Sequence, residues 1–244
     1  QKRIKMSDYK SKDKPNPALN ENKTIEVIQN ILSQNDTRAN ALRASFNERG
    51  ILALNLMSSP GAGKTTLLES TIKACKNKSL KIGVVEGDLE TNRDADRIIK
   101  AGACAHQITT GQSCHLDAFM VGLGLEHLPL NDLNVVFIEN VGNLVCPASY
   151  DVGAHLNIVL LSVPEGSDKV AKYPVMFRRA DLVLVTKYSL LEHFDFSIDE
   201  VKDQLARLNP QAKILALDAK NGENFNAWMD FLFENFKKIA QKGL

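Results

Sequence analysis

A chain of 244 residues with 44% hydrophobic residues can bury a full core, and it fits one large α/β domain or two small ones. Its 30 basic and 29 acidic residues nearly cancel, which removes the electrostatic case for nucleic-acid binding. No apolar stretch reaches membrane-spanning length, the basic start lacks the apolar centre of a signal peptide, and the four cysteines have no regular spacing. A cytoplasmic location with reduced thiols is therefore expected, where cysteine more often serves metal binding or catalysis than a disulfide framework.

Residues 1–20 are rich in Lys, Ser, Asp, Asn and Pro and read as a flexible tail. Residues 21–244 read as a single domain that begins with helix. Over 21–49, Ile25, Ile28 and Leu32 form one stripe, and Leu42 and Phe46 another. Gly50 ends that helix. Strands and helices then alternate. Apolar runs at 51–57, 82–86, 135–139, 158–163, 182–186 and 213–217 predict strands, with a further one near 105–109. Several lack polar alternation, as strands buried on both faces do. Helices are expected near 65–77, 92–101, 115–124, 168–179, 198–208 and 223–240. The pattern predicts an α/β fold: a doubly wound, mostly parallel sheet with helices on both faces. Ligands in such folds bind beyond the carboxyl ends of the strands, which gathers the loops after 57, 86, 139, 163, 186 and 217 around one site.

The first of those loops carries the strongest signal. Residues 58–66 read Ser-Ser-Pro-Gly-Ala-Gly-Lys-Thr-Thr between a strand and a helix, the order a phosphate-binding loop requires. Gly61, Ala62 and Gly63 let backbone N–H groups curl around phosphate oxygens. Lys64 supplies charge to the outer phosphates, Thr65 offers a hydroxyl to Mg²⁺, and Thr66 follows at the positive end of the helix. Ser58 stands where the consensus has its first glycine.

The later loops fill in the site. Asp88 ends the second strand, where a carboxylate can hold Mg²⁺ or orient an attacking water. Asp94 and Asp96 read as helix-start residues facing solvent. Val135-Val136-Phe137-Ile138 leads to Glu139, a second acid at a strand end, and Gly142 follows at a place where its amide can meet the γ-phosphate. Thr186-Lys187-Tyr188-Ser189 resembles the [NT]-K-x-D loop of GTPases, in which Lys packs on guanine and Asp takes its two N–H donors; here Ser189 occupies the Asp position. Asp218-Ala219-Lys220 resembles the [SD]-A-K loop that touches the guanine carbonyl.

A third group is richer in soft donors. Cys114 and His115 are adjacent and are expected to open a helix, whose N-terminus would favour thiolate. Cys146 follows the 139–143 loop. Thiolate and imidazole together suit Zn²⁺ or Ni²⁺. A metal held by Cys114, His115 and Cys146 would touch the segment expected to sense the γ-phosphate. Cys75 and Cys104 read as structural, and His106, His127, His155 and His193 read as core or surface residues.

Five segments in order resemble the HypB family, SIMIBI-class P-loop GTPases that help insert nickel into [NiFe]-hydrogenase. They are Ser59 to Thr66, Glu86-Gly87-Asp88, Gly111 to Ala118 with Cys114-His115-Leu116-Asp117-Ala118, Glu139-Asn140-Val141-Gly142-Asn143-Leu144-Val145-Cys146-Pro147, and Ala219-Lys220-Asn221-Gly222. The resemblance covers roughly residues 35–240. It implies a GTP-dependent homodimer with Cys114, His115 and Cys146 near the dimer axis, Ni²⁺ as the physiological ion and Zn²⁺ as a competitor. It also implies a HypA-type metallochaperone as partner and, through it, the hydrogenase large subunit. Residues 1–50 lack the Cys-x-x-Cys-Gly-Cys or His-rich segments some members carry, which speaks against nickel storage.

The expected activity is slow hydrolysis of GTP to GDP, with Lys64, Asp88 and Glu139 at the reacting end, since no arginine is evidently placed as a finger. Thr65, Asp88 and Glu139 are the expected Mg²⁺ groups. A P-loop kinase for a small acceptor, and a metal-binding switch with negligible turnover, are the alternatives.

Overall fold

The computed structural model describes residues 21–78, 80–88 and 93–241. The expected tail over 1–20 lies outside them. The chain separates into two compact units, residues 1–34 and 35–244. Helix α1, Glu21–Glu48, runs through the boundary between them.

Within the second unit, α1 ends where the sequence places its stop. Gly50 adopts φ 63°, its N–H reaches Asn47 O and the N–H of Ile51 reaches Phe46 O. That pair of bonds satisfies the last carbonyls of the helix and releases the chain into the sheet.

Seven parallel strands follow: β1 Leu52–Ser58, β2 Ile82–Asp88, β3 Cys104–Thr109, β4 Val135–Glu139, β5 Leu156–Ser162, β6 Leu182–Thr186 and β7 Lys213–Ala216. Their order is β3-β2-β4-β1-β5-β6-β7. β1 is central, with β4 and β5 entering on either side of it, so the crevice at its carboxyl end is the switch point of the sheet. Every pairing between these strands is parallel.

Helices cover both faces, because β1, β2, β4, β5 and β6 are buried almost throughout and need apolar cover on each side. On one face Leu52, Leu54 and Leu56 pack with α2 (Lys64–Cys75), α3 (Arg93–Ala101) and α8 (Phe225–Ala240). Trp228 of α8 is fully buried there, and its Nε1 donates to Thr71 Oγ1 at 2.9 Å. On the other face Ala53 packs with Ala39, Leu42 and Phe46 and with α4 (Ala118–Leu125). Met57 packs beyond it with α6 (Pro174–Arg178) and α7 (Ile198–Leu208).

Two expected helices change. The one placed at 115–124 starts at Ala118, because Asp117 caps it by accepting the N–H of Met120 at 2.8 Å. Cys114 and His115 thus lie in the turn before the helix and do not open it, and the expected effect of a helix end on the thiol does not apply. The helix placed at 168–179 is two short ones, α5 (Lys169–Lys172) and α6, because Pro174 has no N–H to continue the first.

Candidate functional site

The phosphate-binding loop hangs between β1 and α2. Gly61 at φ 75° and Gly63 at φ 103° take backbone angles that side chains rarely adopt. Ser58 needs no such freedom, since it is still in strand β1. Its Oγ donates to Ser59 O at 2.6 Å and accepts from Lys64 Nζ at 3.0 Å. The serine that replaces a consensus glycine therefore seats the lysine. Thr186 at the end of β6 fixes the loop from the far side, donating to Ala62 O at 2.6 Å.

A cavity of about 370 Å³ opens above this loop, lined by Lys64, Thr65, Glu86, Asp88, Glu139 and Gly142 among others. Thr65 Oγ1 donates to Glu139 Oε1 at 2.9 Å. Burial pushes the Glu139 carboxyl up to about 7, against the opposing pull of Lys64 and Thr65. Burial likewise lowers the Lys64 amine, partly offset by Glu139.

Glu86 was not singled out by the sequence. It lies beside Glu139 in the β2–β4 register, is buried, and is pushed up to about 8 by burial and then by Glu139. Glu86 Oε2 and Glu139 Oε2 are buried oxygens without a hydrogen-bond partner. Hard carboxylate and hydroxyl oxygens converging on a phosphate cavity are a donor set that fits Mg²⁺. Asp94 and Asp96 stand in the first turn of α3 as expected; Asp94 in addition lines this cavity and pairs with Arg97 at 3.0 Å, while Asp96 is exposed. Arg97 reaches the cavity wall as well, held by Glu69 at 2.8 Å.

A second cavity of about 400 Å³ continues around Gly63 and Thr66. Lys187, Ser189, Asp218, Ala219 and Lys220 line it, so the two base-side loops meet as expected. Lys187 adopts φ 56°, uncommon for a side-chain-bearing residue and frequent at functional turns.

The soft donors converge too. One ligand atom each from Cys114, His115 and Cys146 lie within 4.8 Å of one another. His115 stacks on Tyr150, ring centroids 3.9 Å apart. Burial lowers its imidazole, with Asp117 opposing. Asn143 accepts the N–H of Val145 at 2.7 Å and of Cys146 at 3.2 Å, which folds the turn that presents Cys146. The Cys146 thiol is raised, first by its hydrogen bond with Cys114.

Asn140 connects this group to the phosphate side. It is fully buried directly after Glu139. Its Oδ1 accepts the N–H of Leu116 at 2.9 Å and of Val141 at 3.0 Å. Its Nδ2 donates to Asn55 Oδ1 at 3.2 Å, and Asn55 donates on to Asn157 at 3.0 Å. The turn bearing Cys114 and His115 is therefore hydrogen-bonded to the loop that follows β4. Neither Asn140 nor Tyr150 carried a signal by residue type alone.

The remaining candidates have other places. Cys75 is buried and Cys104 is exposed on edge strand β3. His155 accepts the N–H of Ala53 at 3.0 Å, and His106 stacks on His127 at 4.0 Å.

Residues 52–216 match the family model described as the CobW/HypB/UreG nucleotide-binding domain. The chain belongs to the HypB family. It is 46% identical over 230 residues to the hydrogenase/urease maturation factor HypB of Helicobacter pylori strain J99, covering 93% of each chain. A crystal structure of HypB from Helicobacter pylori in complex with nickel superposes with a TM-score of 0.80 at 46% identity, covering 84% of this chain and 96% of that one. HypB from Archaeoglobus fulgidus superposes at 0.78 with 39% identity, covering 84% and 100%. HypB proteins are SIMIBI-class P-loop GTPases tied to nickel enzyme maturation. Among the described residues no helix is long and apolar enough to cross a membrane.

Proposed function

We propose that this chain is a GTP-hydrolysing nickel chaperone for [NiFe]-hydrogenase maturation, working in the cytoplasm, where its free thiols stay reduced. The observation that carries the reading is the hydrogen-bonded link from the Cys114–His115–Cys146 cluster through Asn140 to the strand end at Glu139. Nickel is the cargo. Two thiolates and one imidazole suit Zn²⁺ or Ni²⁺, the nickel complex of the Helicobacter pylori relative favours Ni²⁺ with Zn²⁺ as a competitor, and three protein donors leave coordination positions open for hand-off.

Gly61, Gly63 and Lys64 hold the phosphates, and Lys187, Ala219 and Lys220 hold the base. Thr65, Asp88 and Glu139 would hold Mg²⁺, which when bound would neutralise charge on the phosphates. Asp88 orients the attacking water, and Gly142 meets the γ-phosphate by its backbone. Glu69 and Asp94 hold Arg97 at the wall, so among the described residues Arg97 supplies no unpaired guanidinium there and hydrolysis is slow. GTP draws the 139–142 loop toward the phosphates and, through Asn140, reshapes the cysteine turn. Exposed Val145 beside Cys146 suits a second copy of the chain closing over the metal, giving a nucleotide-dependent dimer. A HypA-type metallochaperone would exchange nickel with that site on the way to the hydrogenase large subunit.

The deciding measurement is Ni²⁺ affinity with GDP and with a non-hydrolysable GTP analogue, on wild type and Cys114→Ala. The reading expects the two nucleotides to give different affinities in wild type and a weaker, nucleotide-blind affinity in the variant. Equal affinities in all four samples would overturn it.

A further inference from the structure

The base end of the cleft departs from the GTPase pattern at one position. Ser189 stands where the [NT]-K-x-D pattern has Asp, while Asp218 fits the first position of the [SD]-A-K pattern. The two side chains meet: Ser189 Oγ donates to Asp218 Oδ2 at 2.5 Å. Asp218 is only 6% exposed, and its Oδ1 accepts the N–H of Lys220 at 2.9 Å and of Asn221 at 3.1 Å. A carboxylate has about four lone-pair sites, and these three donors occupy most of them. Burial alone would push the Asp218 carboxyl up, but the bonds from Ser189, Asn221 and Lys220 hold it below the usual range. Asp218, buried and bonded three times, has little left to offer a base, whereas Ser189 is exposed on the cleft wall.

We propose that Ser189 is the guanine-reading residue of this chain, with Asp218 positioning its proton. The serine hydroxyl has one proton, and Asp218 takes it. The oxygen then turns only lone pairs toward the cleft. Guanine presents N–H donors at N1 and the 2-amino group, which such an oxygen accepts. Adenine presents a lone pair at N1, so binding it would require Ser189 to turn its proton away from a buried anion. One hydroxyl thereby discriminates where the common pattern uses a carboxylate. The inference rests on reading the cleft as a guanine-nucleotide site.

The test is the dissociation constants of GDP and ADP for wild type, Ser189→Ala, Ser189→Thr, Asp218→Asn and the exchanged double variant Ser189→Asp with Asp218→Ser. Ser189→Ala should weaken GDP by roughly tenfold and leave ADP nearly unchanged. Ser189→Thr keeps the hydroxyl and should keep the preference. Asp218→Asn releases the serine proton, so the GDP:ADP preference should narrow with ADP bound more tightly than by wild type; loss of loop structure would weaken both nucleotides together. The exchanged variant aims a carboxylate at the base and should widen the preference beyond wild type. A wild-type preference retained in Ser189→Ala would overturn the assignment while leaving the guanine site standing. Equal binding of GDP and ADP by wild type would overturn both.

Discussion

At Gly142 the constraint is space. Its φ lies outside the left-handed region, so the backbone there would accept a side chain. A Cβ, however, would sit 2.9 Å from Pro60 Cα and 3.0 Å from Pro60 N, inside the backbone of the phosphate loop. Neither neighbour is a flexible side-chain end, so one loop must back away from the other. Overpacking of this kind costs about 1–3 kcal/mol. Gly142→Ala is expected to lower the affinity for a GTP analogue by roughly ten- to a hundredfold. GDP, which lacks the γ-phosphate, should lose less. Titration of both nucleotides checks this, and an equal loss for the two would mean that Gly142 supports the loop without meeting the γ-phosphate.

Strands β2 and β4 bring together what the sequence keeps 53 positions apart, by the register that sets Glu86 against Glu139. An unfolded chain ionises both near 4.5, whereas the folded chain holds their protons up to about 8 and about 7. Between those limits the native state binds more protons than the unfolded state. Stability of the nucleotide-free protein is therefore fullest below about pH 4.5 as far as this pair is concerned, and falls as pH rises toward 8. Glu86→Gln removes the group with the larger shift. Its melting temperature should exceed that of wild type by a few degrees near pH 8, with the gap closing near pH 5. A gap of constant size across that range would exclude the carboxylate pair as its source. The same pairing explains what could be read beforehand. Gly61, Gly63, Lys64 and Thr65 were legible because one turn holds them at fixed spacing. Strand positions were legible from apolar runs that must be buried on both faces. Glu86 was not, because its importance comes from a neighbour on a strand that inserts later in the chain. The start of α4 was misplaced for a local reason: the cap is Asp117, three residues beyond Cys114, and its hydrogen bond to Met120 sets the first turn.

Across the whole molecule, every element of the phosphate, base and metal groups lies at the carboxyl end of the sheet, and the metal turn is joined to the phosphate side by Asn140. A buried amide that satisfies two backbone N–H groups on different loops makes them move together or costs about 1–3 kcal/mol per orphaned group. Hydrogen exchange can follow that linkage residue by residue. In wild type, Mg²⁺ with a GTP analogue should slow exchange at 139–142 and also at 113–117, most clearly at the Leu116 amide that Asn140 accepts. Helix α8 packs on the opposite face through Trp228 and should change little. In Asn140→Ala the phosphate-side protection should remain and the response at 113–117 should vanish. Asn55→Ala supplies the control, because it removes a neighbouring amide from the same ladder without touching Leu116. If Asn55→Ala loses the response as fully as Asn140→Ala, general loosening of the sheet accounts for it. If Asn140→Ala keeps the response, the nucleotide reaches the cysteines by another route, with the segment from Val141 to Cys146 as the remaining covalent path. Loss confined to Asn140→Ala would make one asparagine the joint through which hydrolysis at Lys64 is felt at Cys114.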